Sequence, residues 1–428
     1  MRNVGDVMGE LDWRGLIGQS TDPGELGRAF GSGPVTFYAG FDPTGPGLHI
    51  GHLALMLTMR RLQRAGHRPI GVVGGATGLI GDPSGKSAER TLNSREVVAE
   101  WAERIRGELG RFIDLSAGMV ISNLDWAGGL SAIELLRDVG KHFSVNKMLG
   151  RESVKARLEG GGISFTEFSY QILQALDFLE LYRRHGCTLQ LGGSDQWGNL
   201  VAGAGLIRSV EGAAVHALAI PLITRHDGSK YGKTEGAAVW LSADLMSAYA
   251  FYQFWLNVGD DEVASLLRVF TFLSRAEIRA LEEATRDRPA AREGQRALAE
   301  HVTTLVHGAA ACRRVRAAGQ ALFGHGELAE LDEGTLAEAL AELPPFQVSP
   351  GQLASGWLVA GLMVAAGIAP SLSAARRAIA EGGAYLNNKR VSAAEATAME
   401  SDLLHGRYLV LRRGKRAVGA VEVVRRHP

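Results

Sequence analysis

The first residues that could do chemistry are two histidines, His49 and His52, which lie three positions apart with Gly51 between them. If a helix begins here, both imidazoles share one face, and the free N–H groups and dipole of the helix start attract an anion such as a phosphate. Gly51 would let a nucleotide approach the backbone. Thr44, two residues after Asp42, adds a hydroxyl that could reach a terminal phosphate. The same residues are equally compatible with a helix cap that carries two surface histidines.

A second candidate for phosphate binding comes about 180 residues later. Lys230 and Lys233 flank a glycine, Thr234 follows them, and a Gly-Ser turn precedes them. Such a loop can close on a triphosphate and place two ammonium groups on charge that grows in a transition state. Alone, the pattern is typical of a solvated basic loop. Together with the histidine pair, it indicates one nucleotide that is held from two sides.

A polar stripe on a third segment is suited to a small amino acid. Tyr170, Gln174 and Asp177 follow the i, i+4, i+7 spacing of one helix face. Apolar residues occupy the other faces, so the stripe needs polar partners if it is buried. A phenol hydroxyl and an ammonium group would supply them. The alternative is a stripe exposed to solvent.

Two glycine-rich segments add further candidates. Asp82 lies in the segment 74–86, whose glycine and lysine spacing does not match a Walker A loop, and it could bind an ammonium group. Gly193, Asp195 and Gln196 follow a predicted strand, where a glycine permits close approach of a ribose, an aspartate accepts from its hydroxyls and a glutamine can meet a carboxylate. An ordinary turn with an aspartate cap is the alternative for each.

The elements that must position these residues read as an α/β fold. Short apolar runs at 35–41, 69–73, 188–191 and 215–223 alternate with helical patterns, including one over 48–65 that starts at His49. This alternation predicts a Rossmann-like, doubly wound parallel sheet. Because such sheets bind ligands at the carboxyl ends of their strands, the candidate residues should converge there.

The rest of the chain divides into further predicted parts. The α/β pattern is predicted to form a catalytic domain over 1–242, with a connective insertion around 124–165. A helical domain is predicted over 243–332, with helices over 260–272, 274–285 and 290–318. An acidic and then proline-rich linker is predicted over 333–352. A small α+β domain is predicted over 353–428. It contains eleven Lys and Arg and five acidic residues, so its net charge is +6. This excess favours a polyanion partner.

Composition narrows the class of protein. The 428 residues contain 46 basic and 46 acidic side chains and only two cysteines. A disulfide scaffold is excluded, and no zinc motif, secretory signal or membrane-spanning run is visible. We therefore expect a cytoplasmic protein without a protein-ligated metal.

Taken together, the segments 37–52, 74–86, 165–178, 189–199 and 230–241 resemble the bacterial tyrosyl-tRNA synthetases, which are class I aminoacyl-tRNA synthetases. The resemblance covers essentially the whole chain. It implies that tyrosine attacks the α-phosphate of ATP, with Mg²⁺, and that the tyrosyl group then passes to the terminal ribose of tRNA without a covalent enzyme intermediate. Selectivity against phenylalanine would come from hydrogen bonds to the phenol hydroxyl, an effect for which this enzyme family is itself the standard example.

The resemblance also implies roles for individual residues. Tyrosine would be bound by Tyr38, Asp82, Tyr170, Gln174, Asp177 and Gln196; ATP by Asp42, Gly51, Gly193, Asp195, Lys230 and Lys233; and the phosphates during catalysis by Thr44, His49, His52, Lys230, Lys233 and Thr234. The C-terminal domain resembles an S4-like RNA-binding domain, with RNA contacts expected from Arg376, Arg377, Lys389, Arg390, Arg412 and Arg413. A homodimer with an interface around 124–148 is also implied.

Some residues depart from the family pattern. Ala39 stands where a cysteine is frequent, so one ribose contact is expected to be missing. Two alternatives to an active tyrosine-specific enzyme stay open: a non-catalytic paralogue that binds RNA or a nucleotide, and a specialised copy with altered specificity.

Overall fold

A computed structural model describes residues 6–84, 92–159, 162–224, 228–229, 231, 233–234, 237–343, 346–354, 356–414 and 417–424. The chain forms two compact units. The first consists of Met1–Leu245 with Gly259–Gly294, and the second of Met246–Val258 with Gln295–Pro428. The predicted division into four parts stays a prediction.

The elements follow in chain order. The helices are α1 (Val7–Trp13), α2 (Pro23–Ser32), α3 (Ile50–Arg64), α4 (Arg95–Leu109), α5 (Leu124–Ala127), α6 (Ala132–Glu134), α7 (Val145–Leu149), α8 (Glu152–Glu159), α9 (Phe165–His185), α10 (Trp197–Glu211), α11 (Ala248–Leu256), α12 (Val263–Phe270), α13 (Arg275–Asp287), α14 (Glu293–His307), α15 (Ala309–Leu322), α16 (Glu333–Ala341), α17 (Pro350–Ala354), α18 (Val359–Ala365) and α19 (Leu372–Ala380). The strands are β1 (Gln19–Ser20), β2 (Thr36–Phe41), β3 (Arg68–Val73), β4 (Met119–Ser122), β5 (Leu189–Gly193), β6 (His216–Ile220), β7 (Lys233–Thr234), β8 (Ala237–Ala238), β9 (Phe346–Val348), β10 (Trp357–Leu358), β11 (Ala384–Leu386), β12 (Lys389–Arg390), β13 (Thr397–Ala398), β14 (Tyr408–Arg413) and β15 (Ala417–Val423).

The first unit is built on a six-stranded sheet with the order β1-β6-β5-β2-β3-β4. Strands β2 to β6 run parallel, and the short β1 pairs antiparallel with β6 at one edge. The four predicted strands and the doubly wound fold are confirmed. Sequence reasoning missed β1 and β4, which contain two and four residues and carry little pattern. Because the chain proceeds outward from β2 in one direction and from β5 in the other, the β2–β5 boundary is the switch point where such sheets bind ligands.

Local signals explain the two helices that matter most for this site. The α3 helix starts where predicted, with His49 as its N-cap. The α9 helix is capped by the Ser164 side chain and ends at Gly186, whose φ of 61° is the left-handed conformation that favours glycine. The helices α9 and α10 pack with the side chains of Tyr38, Ile70 and Val72 in one buried apolar cluster, which fixes α9 against the sheet.

The second unit combines helices with a five-stranded sheet in the order β12-β11-β14-β15-β9. The C-terminal strands predicted around 384–386, 408–412 and 417–424 are present as β11, β14 and β15. The segment predicted as a linker has regular structure instead: it contains α16, and β9 pairs in parallel with β15 at one edge of the sheet. The helix predicted over 290–318 is two helices, because Gly308 adopts a φ of 88° and ends α14.

No helix in the described part of the chain has both the length and the apolar character that crossing a bilayer requires.

Candidate active site

The candidate residues of the first unit converge at the carboxyl end of its sheet. Asp42 directly follows β2, and Gly74 directly follows β3. Asn123 follows β4, while Gly193 is the last residue of β5. This is the edge where a doubly wound sheet places its ligands.

One end of the site is built around the Asp177 carboxylate. Its Oδ2 accepts from Asn123 Nδ2 at 3.0 Å, and its Oδ1 accepts from Trp126 Nε1 at 2.8 Å. Burial nevertheless raises the pKa of Asp177 from 3.8 to about 7, because the loss of hydration outweighs the two donated hydrogen bonds. This carboxyl therefore titrates near neutral pH.

The Tyr38 side chain belongs to the apolar cluster that holds α9 against the sheet, and it is 1% exposed. Its ring packs on Phe178, with centroids 5.3 Å apart. Its hydroxyl has no hydrogen-bond partner among the described residues. Burial, reinforced by Asp177 and then Cys187, raises the pKa of this phenol well above its ordinary value, so it is a neutral donor. A buried donor without an acceptor is unfavourable, and a ligand hydroxyl would satisfy it.

The other end of the site carries two more carboxylates. Tyr170 donates its hydroxyl to Asp42 Oδ2 at 2.6 Å, and Gln196 Nε2 donates to Asp82 Oδ2 at 2.5 Å. The Oε1 atom of Gln174 is buried without a partner in the described part of the chain. Two carboxylates and an amide oxygen make this end electronegative, which suits an ammonium group.

The two histidines close the start of α3. Gly51 N donates to His49 Nδ1 at 3.1 Å, and His49 N donates to His52 Nδ1 at 3.2 Å. Each neutral ring therefore carries its proton on Nε2. Burial and then the neighbouring His49 lower the pKa of His52 well below its ordinary value, so this residue is neutral at pH 7. A side chain on Gly51 would lie 2.8 Å from His49 Cε1, so glycine is needed for this packing.

The remaining predicted nucleotide residues line the same edge. Asp195 lies in a 3₁₀ turn directly after β5, and a Cβ atom on Gly193 would lie 2.7 Å from Asp195 Oδ1. Thr44 is exposed, and its N–H donates to Asp42 O at 2.8 Å. These positions are compatible with the predicted ribose and phosphate contacts, which stay predictions.

The predicted second phosphate site falls mostly outside the described residues. Lys230 is not described, and for Lys233 and Thr234 only the backbone is, as strand β7 paired antiparallel with β8. Their role stays a prediction.

In the second unit, the predicted RNA-binding cations divide into two groups. Five are exposed: Arg376, Arg377, Lys389, Arg390 and Arg413. Arg412 is 9% exposed, because its guanidinium stacks on Tyr385 at 3.9 Å and donates to Gly414 O at 2.8 Å. In this conformation Arg412 is a packing residue of the sheet and does not face solvent.

Three residues of the site were not predicted from the sequence. Asn123 and Trp126 hold Asp177, and Thr77 donates to Asp42 Oδ1 at 2.6 Å. Recognition of β4 would have pointed to Asn123, since it directly follows that strand. Thr77 lies in the glycine-rich segment that follows β3, so its position at this edge of the sheet was predictable, but its contact with Asp42 was not.

The comparison with known proteins agrees with this geometry. Residues 32–324 match the family model described as tRNA synthetases class I (W and Y), and residues 336–419 match that of the tyrosine–tRNA ligase SYY-like C-terminal domain. The chain is 58% identical over 423 residues to the tyrosine–tRNA ligase of Streptomyces coelicolor, covering 98% of this chain and 99% of that one. It is 55% identical over 423 residues to the enzyme of Mycobacterium tuberculosis, again covering 98% and 99%.

Among solved structures, the fold is similar to a C-terminally truncated mitochondrial tyrosyl-tRNA synthetase from Aspergillus nidulans. The TM-score is 0.68 at 30% identity, over 74% of this chain and 94% of that one. The non-catalytic and altered-specificity alternatives have no comparable support. The family match spans most of the chain, and the relatives match it nearly end to end. The chain therefore belongs to the class I tRNA synthetase family for tryptophan and tyrosine, as one of its tyrosine–tRNA ligases.

Proposed function

We propose that this tyrosine–tRNA ligase activates L-tyrosine at the carboxyl ends of β2 and β5, with the phenol directed toward Asp177 and the ammonium group toward Asp82. The observation that carries this orientation is the buried Tyr38 hydroxyl, which has no hydrogen-bond partner among the residues that the structure describes and which interacts electrostatically with the buried Asp177 carboxyl. A substrate hydroxyl can accept from Tyr38 and donate to Asp177, so both protein groups gain a partner. A substrate without this hydroxyl leaves the buried Tyr38 hydroxyl unsatisfied and gives Asp177 no additional donor, which is a strong basis for rejection.

The ammonium group fits the opposite end. Asp82, Tyr170 and Gln174 are the predicted contacts, and Gln174 Oε1 is the buried acceptor still without a partner in the described part of the chain. Gln196 donates to Asp82, so its amide would lie close to the substrate carboxylate. The carboxylate would then point toward the nucleotide end of the site, as attack on an α-phosphate requires.

Phosphate binding would fall to Thr44, His49 and His52 at the start of α3. Because the His52 imidazole is neutral, it would donate a hydrogen bond from Nε2 and would not act as a fixed cation. Full positive charge would come from Mg²⁺ bound to ATP and from Lys230 and Lys233. Within the described residues, no cluster of three or more His, Cys, Asp or Glu side chains is arranged to hold a metal ion. Rate acceleration would rest on positioning and electrostatic stabilisation.

The exposed cations of the second unit would bind the phosphates of tRNA. Arg376 and Arg377 lie on α19, and Lys389 and Arg390 form β12. Arg376→Glu is expected to weaken tRNA charging most at low salt, since each lost phosphate contact reduces the salt dependence of binding. Tyrosine-dependent pyrophosphate exchange should be unchanged in this variant. Equal charging by variant and parent at all salt concentrations would argue against this surface.

Dimer formation is supported by apolar side chains that are exposed in the single chain. Ile133 is 71% exposed and Phe165 is 74% exposed, and both lie within the predicted insertion. Leu124, which precedes Ile133, and Leu136 and Val145, which follow it, are exposed as well. Such a concentration of exposed apolar side chains is typical of a protein interface. Ile133→Asp should shift the sedimentation coefficient toward a monomer, whereas Leu372→Asp, an exposed apolar residue of the second unit, should not.

The first experiment is exchange of labelled pyrophosphate into ATP, measured with each of the twenty amino acids and Mg²⁺. Exchange with tyrosine alone would support the activation step and its specificity. Absence of exchange from folded protein would favour the non-catalytic paralogue. A cytoplasmic location stays a prediction that cell fractionation can test.

A further inference from the structure

A continuous set of hydrogen bonds joins the two ends of the tyrosine site. Asn123 Nδ2 donates both to Asp177 Oδ2 at 3.0 Å and to Thr77 Oγ1 at 2.9 Å. Thr77 Oγ1 donates to Asp42 Oδ1 at 2.6 Å, and Tyr170 donates to Asp42 Oδ2 at 2.6 Å. The phenol-binding carboxyl is thereby linked through two side chains to the carboxylate that follows β2.

The direction of each hydrogen bond is determined by its neighbours. Asn123 Oδ1 accepts from Ala76 N at 2.8 Å, so the Nδ2 group must face Asp177 and Thr77 and uses both of its protons there. The Thr77 hydroxyl has a single proton, and because it accepts from Asn123 it gives this proton to Asp42. Thr77 therefore completes a hydrogen-bonded connection between Asn123 and Asp42.

The connection is buried and tightly packed. Thr77 is 3% exposed and Asn123 is 1% exposed. A Cβ atom on Gly74 would lie 1.9 Å from Asp42 Oδ1 and 2.5 Å from Thr77 Oγ1, so the bare backbone of Gly74 lies against this hydrogen bond. A shift of either oxygen toward Gly74 is opposed by this backbone. Buried hydrogen-bond networks of this kind are strengthened by the low local dielectric constant.

We propose that Thr77 is a positioning residue for tyrosine activation, which couples recognition of the substrate hydroxyl at Asp177 to the placement of Asp42 and Tyr170 at the ammonium end of the site. The inference rests on the proposed orientation of tyrosine. Loss of the Thr77 hydroxyl leaves Asn123 with an unpaired buried proton and Asp42 with one donor fewer. The damage therefore reaches both ends of the site.

The direct test compares Thr77→Val, which keeps the shape and removes the hydroxyl, with Thr77→Ser, which keeps the hydroxyl. Rates are normalised to the concentration of active sites, titrated by the burst of adenylate formation. Thr77→Val is expected to lower kcat/KM for tyrosine about tenfold to a hundredfold, as for a lost hydrogen bond to a charged group. It should also raise the KM for ATP and reduce the preference for tyrosine over phenylalanine. Thr77→Ser should retain both properties.

A matched control comes from Thr58, which is fully buried in α3 and donates to Ala54 O at 2.8 Å. Thr58→Val removes one buried hydroxyl without touching this network. It should leave the KM for ATP and the tyrosine preference of the remaining active sites unchanged. A purely structural role of Thr77 would give the same pattern as this control, and that result would overturn the proposal.

A double-mutant cycle tests the coupling first in the parent protein, where Thr77 is intact, and then in the Thr77→Val background. Asn123→Ala and Tyr170→Phe alter side chains that share no hydrogen bond in the described part of the chain and that are connected by hydrogen bonds through Thr77 and Asp42. Their effects on kcat/KM should be non-additive in the parent protein, and this non-additivity should be smaller in the Thr77→Val background. Additive effects in the parent protein would overturn the proposal, even if Thr77→Val fails to fold.

The outcomes also separate this inference from the proposed function. If the parent protein shows no tyrosine-dependent exchange, the proposed function fails. If the parent protein is active and Thr77→Val matches it in both ATP and tyrosine parameters, only the positioning role of Thr77 fails.

Discussion

Tyr38→Phe is expected to stabilise the free protein while it weakens tyrosine binding. The ring of Tyr38 packs on Phe178 with centroids 5.3 Å apart, and phenylalanine can keep that contact. Only the hydroxyl is lost, and this hydroxyl is buried without a hydrogen-bond partner in the described residues. The substitution therefore removes an unfavourable group from the free protein and a favourable one from the complex.

The two effects can be given a magnitude. A buried polar group without a partner costs about 1–3 kcal/mol, and the small gap left by the missing oxygen offsets part of this gain. We expect a net stabilisation of about 1 kcal/mol, which corresponds to a rise in Tm of about 2 °C for a unit of this size. The complex loses one uncharged hydrogen bond, of about 0.5–1.5 kcal/mol. The KM for tyrosine should therefore rise about 2- to 13-fold.

Scanning calorimetry of the free protein and pyrophosphate exchange with tyrosine and phenylalanine measure both effects. Phenylalanine is the internal control, because it makes no hydroxyl contact and its KM should change little. The selectivity for tyrosine should fall by the same factor as the KM for tyrosine rises. If Tyr38→Phe lowered the Tm, the hydroxyl would have a partner in the free protein. If the KM for tyrosine were unchanged, the phenol would not lie against Tyr38, and the proposed orientation would be wrong.

Three further predictions concern the rest of the molecule. Because burial raises the pKa of Asp177 to about 7, the unfolded chain ionises this group first, near pH ~4, so stability falls as pH rises from about 4 to about 7. Asp177→Asn cannot titrate in this way. In urea unfolding, the free energy of unfolding of this variant relative to the parent should therefore increase from about pH 4 to about pH 7 and stay constant above that range. A difference that does not depend on pH would contradict the shifted pKa. Gly74→Ala should abolish tyrosine-dependent exchange, since its Cβ would lie 1.9 Å from Asp42 Oδ1, whereas Gly107→Ala, where nothing lies within 4 Å, should be active. Removal of 344–428, cut ahead of β9 so that its sheet is removed whole, should spare exchange and abolish tRNA charging; normal charging would refute a role of that sheet in tRNA binding.

The sequence by itself determined the features that depend on local periodicity and capping. The spacing of Tyr170, Gln174 and Asp177 placed them on one face of α9, because a helix repeats every 3.6 residues whatever surrounds it. The start of α3 at His49 was predictable for the same reason, since helix ends follow from a few neighbouring residues. Apolar runs predicted the central strands. Because doubly wound sheets bind ligands at the carboxyl ends of their strands, these strands also predicted the edge where the site lies.

Tertiary structure decided which side chains pair within that site. Asn123 and Asp177 are 54 positions apart and meet only because β4 and α9 pack in one unit. Thr77 and Asp42 are 35 positions apart, and no local pattern marks their contact. The inward turn of Arg412 onto Tyr385 likewise depends on strand pairing, which charge counting along the chain does not include. Such contacts are formed by the packed fold as a whole, and residue spacing along one element contains no information about them.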